Sequence, residues 1–375
     1  MNKYYNLVLT RAQLPRLTLA TRVIDKIVAN AMIYPTETGE LLVGLAVDVP
    51  GRAEPDMYVL DTVPPDESAV RRGAYFEQGD DVQGEIFNWY ADNWEQFRER
   101  RRHSYGNALG AKWDVPLANV GDWHKHPGTL THPSGGDFDT AFEHVFDSEK
   151  GVPQILVILA TVWDRTEAEA DTSMDPDELI GVTDHTKESD RPRPLKIHIN
   201  DVTTVRIDFW YMSRRTRRFV RLAPIITEDA LLPNLPAISW HVSDPARLRQ
   251  EVEGLIEDGY KVLRVQSYNA DNVPPLEICL QVFRMTGKQV FTIVTKADFP
   301  ASRPVVRASP IESIPEDTKQ IFQPIWGQSQ PVPEACYPTA WTATSTLVGL
   351  VRAVEAGLAA QPAKAAAPAS TATTS

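Results

Sequence analysis

The sequence predicts an α/β chain made of two domains. Three observations carry this. Helical and strand-like apolar periods alternate over residues 18–212, and the run Ile155–Val162 is continuously apolar, as in a strand covered on both faces. A separate set of elements begins near Pro233. At 375 residues with 42% hydrophobic side chains, the chain is too long for one ordinary core and apolar enough for two.

Taken in order, Thr18–Ala31 carries Leu19, Val23, Ile27 and Ala31 at helical spacing. Leu41–Val49 reads as a buried strand and Met57–Val63 as its partner. Asp80–Arg101 is a long amphipathic helix, with Ile86, Phe87, Tyr90, Trp94 and Phe97 along one side. Asn119–Trp123 leads into a strand bearing two histidines. A helix starting at Ser134 turns Phe138, Phe142, Val145 and Phe146 inward. After the Ile155–Val162 strand, the stretch 163–194 becomes acidic and proline-rich and reads as a mobile insertion or a solvated loop. Strands resume at Lys196–Ile199 and Val205–Met212, closing a first domain over about 1–225.

The second domain spans about 235–360. Ser243-Asp-Pro245 starts a helix that Gly259 stops, with Leu248, Val252, Leu255 and Ile256 on its apolar face. Strands follow at Val262–Gln266, Leu276–Arg284 and Gln289–Lys296, the last two joined by a Met-Thr-Gly-Lys hairpin turn. A long loop and Trp341 precede a final helix with Leu347, Leu350, Val351, Val354 and Leu358. The tail 361–375, rich in Ala, Pro, Ser and Thr, reads as disordered.

A formal charge of −12 disfavours general nucleic-acid binding, which needs a basic footprint. Two basic runs, Arg98–Arg102 and Arg214–Arg218, read either as solvated element ends or as docking patches for an acidic partner. The 2 cysteines, Cys279 and Cys336, cannot build a disulfide framework. No window reaches transmembrane length and the opening MNKYYNLVLTRAQ has no apolar run of signal length, so no membrane association and a cytoplasmic location are expected.

The chemistry concentrates in His124-Lys-His126-Pro-Gly-Thr-Leu-Thr-His-Pro-Ser134-Gly-Gly-Asp137. Strand residues i and i+2 share a face, so His124 and His126 can grip one ion, with Asp137 closing the set from the next helix. Three protein ligands leave a position for water, as in a catalytic zinc site. Ser134-x-x-Asp137 also reads as an acidic capping box, compatible with the ligand role of Asp137. Zinc would lower the pKa of its water to about 7. A carboxylate outside the ligand set, Glu37, could then move the proton to a leaving amine, and the Ser134 hydroxyl could share the negative charge of the tetrahedral intermediate.

His-x-His-x(7)-Ser-x(2)-Asp, with the upstream Pro35-Thr-Glu37-Thr-Gly39-Glu-Leu-Leu-Val-Gly44, resembles the signature of the JAMM metalloproteases of the MPN fold. The resemblance implies a cytidine-deaminase-like sheet with flanking helices. It makes His124, His126 and Asp137 zinc ligands, Glu37 the catalytic glutamate and Ser134 the oxyanion-stabilising residue. Glu40 is a second carboxylate nearby; the spacing to Gly39 and Gly44 favours Glu37. More distantly, residues 235–360 resemble the ubiquitin-conjugating (UBC/RWD-like) fold. That likeness rests on the helix and antiparallel meander, a Phe299-Pro300…Pro304 turn expected after the last strand, and a Trp341-led helix. It lacks the His-Pro-Asn element, and Cys336 lies closer to Trp341 than that family's active cysteine does. Cys336 is therefore either a thioester nucleophile or a non-catalytic loop cysteine, and Cys279 falls in a strand.

Together the resemblances imply a zinc-dependent isopeptidase or peptidase that processes a ubiquitin-like modifier and its conjugates in a bacterial-type pathway. Activating or conjugating enzymes of that pathway are expected partners. Two alternatives stand beside it: a thioester enzyme using Cys336 with an editing metal domain, and a non-enzymatic MPN scaffold.

Overall fold

The computed structural model describes residues 13–360 except 67, 73–74, 79–80, 105–111, 129, 148–150, 165–191, 272–274 and 316–319. The expected acidic insertion lies almost wholly outside the described residues, as do the tail 361–375 and the Phe97 side chain. The chain divides into two compact units, Met1–Pro236 and Ala237–Ser375.

The first unit is a mixed α/β structure. Its strands are β1 (Leu17–Ala20), β2 (Gly39–Val47), β3 (Asp56–Val63), the small pair β4 (Val70–Arg72) and β5 (Tyr75–Glu77), and β6 (Ala118–Lys125). They continue as β7 (Gln154–Asp164), β8 (Leu195–His198), β9 (Thr203–Ser213), β10 (Val220–Arg221) and β11 (Pro224–Thr227). Helices α1 (Thr21–Ile33), α2 (Asp81–Ser104) and α3 (Gly135–Phe146) are interleaved. The large sheet runs β10-β9-β7-β6-β2-β3-β1-β11, with β8 also paired to β9. It is mixed: β6 and β7 are parallel, whereas β2 is antiparallel to both β3 and β6.

Strand β7 is the anchor. Ile155 to Ala160 are all buried, because α1 packs on β7 from one face and α3 from the other. Fully burying a Leu or Ile side chain contributes about 1.5–3 kcal/mol, so this run fixes the register of its neighbours. The expected helix at Thr18 starts three residues later. Leu17–Ala20 instead pairs in parallel with β3 and β11, and Leu19 is buried on that strand while Val23, Ile24, Ile27 and Ala31 are buried on α1. Helix α2 buries Ile86, Trp89, Tyr90 and Trp94, with Phe87 half-buried.

Helix α3 departs from its expected face. Ala141 and Val145 are its buried residues, Phe146 is partly buried, and Phe138 and Phe142 are exposed at 37% and 41%. The small Ala141 lets the helix sit close over β7 and β9, and the aromatic rings stack along its outer flank instead. Within the second basic run, Arg214 donates from Nε to the Val145 carbonyl.

The second unit is also α/β. It comprises α4 (Trp240–Ser243), α5 (Pro245–Glu257), β12 (Tyr260–Tyr268), β13 (Glu277–Arg284), β14 (Gln289–Thr295) and β15 (Val305–Pro310). Then come α6 (Phe322–Gln328), β16 (Gln330–Pro331) and α7 (Leu347–Ala360). The sheet is an antiparallel meander, β12-β13-β14-β15-β16. The Phe299–Pro304 turn therefore precedes β15 and does not follow the last strand. Asp244 caps α5 by accepting from the Arg247 amide, Pro245 opens it, and Gly259 ends it at φ 84°. Ile256, expected inside, is exposed, while Glu251 is buried and accepts the Leu347 amide at the start of α7. Among the described residues no helix is long and apolar enough to cross a membrane.

Candidate metal centre

The site is built where β6 ends. Gly121 has φ 143°, and a Cβ there would sit 1.8 Å from the Leu156 carbonyl oxygen, so only glycine fits this close approach to β7. The β2–β6 register shifts at this point, with Leu42 opposite Gly121 and Val43 opposite Asn119. Downstream the alternation is strict. Trp123 faces one side, where its indole donates to Glu40, and Asp122 and His124 face the other. Glu40 is buried with Trp123 and also accepts from Asn30, so it belongs to the sheet face opposite the histidines. Burial raises its pKa.

His126 lies one residue beyond β6, its amide still bonded to Ala160 on β7. Asp137 comes from the first turn of α3, where Ser134 is the N-cap. The Ser134 hydroxyl accepts the Asp137 amide at 3.2 Å, and the Asp137 carboxylate accepts the Ser134 amide at 2.6 Å. This reciprocal box locks the carboxylate in place at a helix N-terminus, where negative charge is favoured.

The three side chains converge. His124 Nε2 and His126 Nε2 are 3.0 Å apart, and Asp137 places Oδ1 at 3.2 Å from the first and Oδ2 at 3.3 Å from the second. Side-chain exposures of 12%, 4% and 18% leave a narrow opening. The other ring nitrogens point outward: His124 Nδ1 lies 2.9 Å from Asp122 Oδ1, and His126 Nδ1 lies 3.1 Å from the Leu130 carbonyl. Both outward partners are acceptors, so with a cation at the inward nitrogens both rings would keep their protons on Nδ1. The inward atoms are then two imidazole lone pairs and a carboxylate, with no donor among them. Such a group could hold a metal ion. Tetrahedral zinc with bonds of about 2.0–2.2 Å would hold its donors roughly 3.3–3.6 Å apart, slightly wider than the spacing here.

The titration of these groups follows. Burial would lower the His124 pKa, but hydrogen bonds and charge from Asp122 and Asp137 outweigh it and raise it to about 10. Burial likewise works against the Asp137 carboxylate, yet His124 and His126 hold its pKa well below the usual range. A proton supplies the missing cation when no metal does.

Glu37 stands in the turn between α1 and β2, outside the ligand group. Its amide donates to Arg72 of β4, and the adjoining Thr38 carbonyl accepts the Lys125 amide at 2.7 Å. Lys125 Nζ also reaches the Tyr34 carbonyl at 2.5 Å, tying the histidine strand to the glutamate turn. Burial raises the Glu37 pKa; the charges of His126 and His124 oppose the rise and that of Asp137 adds to it. Glu37 is thus electrostatically coupled to every member of the group. Gly39 pairs with His124, and its missing Cβ would meet Trp123 O at 2.3 Å and His124 Cβ at 2.9 Å.

Asp122 and the Leu130 carbonyl were not anticipated from the sequence. The signal for Asp122 was present, since a carboxylate two residues before His124 shares its face. Cys336 belongs to the other unit and is 3% exposed, packed against Gly357 of α7. Cys279 is buried on β13.

Fold and site together define a mixed α/β protein with a two-histidine, one-aspartate group able to bind a metal ion. In comparison with known proteins, the chain matches no family model and no curated protein.

Proposed function

We propose that this protein is a zinc-dependent peptidase or isopeptidase of the JAMM kind, with an MPN-like first unit and a UBC/RWD-like second unit. It cleaves a ubiquitin-like modifier from its conjugates or trims the modifier's extension. The observation that carries this reading is the convergence of three metal-type donors, His124, His126 and Asp137.

His124, His126 and Asp137 would hold the ion. When bound, a zinc ion supplies Lewis acidity toward water and the scissile carbonyl. Glu37 would accept the proton of the attacking water on its carboxylate and deliver it to the leaving amine. The Ser134 hydroxyl, held at the N-cap of α3, would share the oxyanion's charge. The conjugating alternative has less support, because the Cys336 thiol is enclosed by α7.

The test pairs elemental analysis with cleavage of a Gly-Gly-linked modifier fusion, for wild type, His126→Ala and Glu37→Gln. The expected wild type holds one metal and cleaves the fusion, and a chelator stops cleavage. His126→Ala loses both properties. Glu37→Gln keeps the metal and loses about 10²–10⁴-fold in rate. Undiminished turnover by Glu37→Gln would remove Glu37 from its role, and folded wild type without metal would overturn the whole reading.

A further inference from the structure

We infer that Asp122 is a positioning residue of the metal centre, one that sets the tautomer and angle of His124 so that Nε2 is the ligand atom. The inference rests on the proposed metal site and adds a member to it. A neutral imidazole carries a single ring proton, and the nitrogen that holds it cannot bind a metal. Asp122 Oδ1 lies 2.9 Å from His124 Nδ1 and can only accept there, so with a metal at Nε2 the ring proton is held on Nδ1; Nε2 itself faces Asp137 Oδ1 at 3.2 Å.

The geometry is dictated by the strand. Asp122 and His124 are successive residues on one face of β6, and Gly121 absorbs the irregularity that sets this phase. A phase change of one residue would put Trp123 there instead. The two ligands are backed differently: His126 Nδ1 meets the Leu130 carbonyl, a neutral acceptor at 3.1 Å, whereas His124 has an anionic one. A carboxylate behind an imidazole raises its basicity as well as orienting it, and removing such partners commonly weakens metal binding 10–100-fold. His124 is therefore the ligand whose strength depends on a replaceable side chain.

The experiment measures zinc affinity by competition with a chromophoric chelator for wild type, Asp122→Asn and Asp122→Ala. It adds the visible absorption of the cobalt(II)-loaded proteins. Asp122→Ala is expected to bind zinc 10–100-fold more weakly with a changed cobalt spectrum. Asn can still accept from Nδ1, so Asp122→Asn should recover the wild-type spectrum and most of the affinity. Equal affinities and spectra for wild type and Asp122→Ala overturn the inference while leaving the metal site standing. Wild type that binds neither ion defeats the underlying site instead. Nitrogen-15 NMR of zinc-loaded wild type decides the matter independently of how the variants fold. A hydrogen-bonded proton on His124 Nδ1 supports the assignment, and a proton on Nε2 refutes it.

Discussion

Two histidines, one in each unit, are shifted in opposite directions. His241, beside the sheet of the second unit, has its pKa lowered to about 4, and burial is the cause. His124 in the first unit is buried as well, yet its pKa is raised to about 10 because Asp122 and Asp137 converge on it. Burial always disfavours the charged ring, so only specific opposite charges can reverse the sign. The comparison separates a ring shifted by burial from one shifted by the charges of a site. Enclosure alone marks neither; aim and partners do.

The largest expected effect comes from disturbing the aim. In Gly39→Ala the new Cβ would press on the Trp123 carbonyl at 2.3 Å and on His124 Cβ at 2.9 Å. Backbone cannot give way as a side-chain tip can, so overpacking of about 1–3 kcal/mol is expected. Because the displaced strand carries His124, zinc affinity should fall together with the melting temperature. Unchanged affinity in a destabilised Gly39→Ala protein would show that the donor geometry tolerates strand movement, and would weaken the distinction drawn here.

Legibility in the sequence followed the range of the interactions. The His-x-His pair, the Ser134–Asp137 box, the Asp244-Pro245 helix start and the 285–288 hairpin all involve residues within a few positions, and their residue types state them directly. Strand β1 was misread as helix because Leu17–Ala20 owes its conformation to β3 and to β11, which lies some two hundred residues downstream. Strand β15 was read as loop since prolines bracket it at Pro304 and Pro310, and its pairing with β14 lies in the structure alone. Phe138 and Phe142 illustrate a different failure. Their spacing marks a helical stripe, but which stripe is buried depends on Ala141 and Val145 fitting the sheet beneath. The docking of the Glu37 turn against the histidine strand needed β2, β4 and β6 together, and spacing alone could not supply it.

A smaller effect tests whether Cys336 belongs with the enclosed groups. A Cβ at Gly357 would lie 2.7 Å from Cys336 Cα, while one at Gly254 in α5 would meet nothing nearer than 3.8 Å. Alanine improves helix propensity at either position by about 1 kcal/mol. Gly254→Ala should therefore stabilise the protein, and Gly357→Ala should lose more to overpacking than it gains, a net loss of up to about 2 kcal/mol. Chemical denaturation reads both. If Gly357→Ala stabilised as well, the segment holding Cys336 would be loosely packed, and the thioester alternative would regain support.

The smallest effect is the pH response of His241, and its sign follows from the direction of the shift. The ring takes a proton near 6.5 in the unfolded chain but only at about 4 when folded. Between those values the unfolded state binds a proton that the folded state does not, so stability rises with pH across the window. The contribution of neutral His241 is complete above about 6.5 and is lost progressively as pH falls toward 4. His241→Asn cannot take that proton. Its melting temperature should thus fall less than that of wild type between pH 7 and pH 4.5, whatever the two values at pH 7. Parallel curves would mean that the folded core admits the charged ring, and the contrast with His124 would then rest on Asp122 and Asp137 alone.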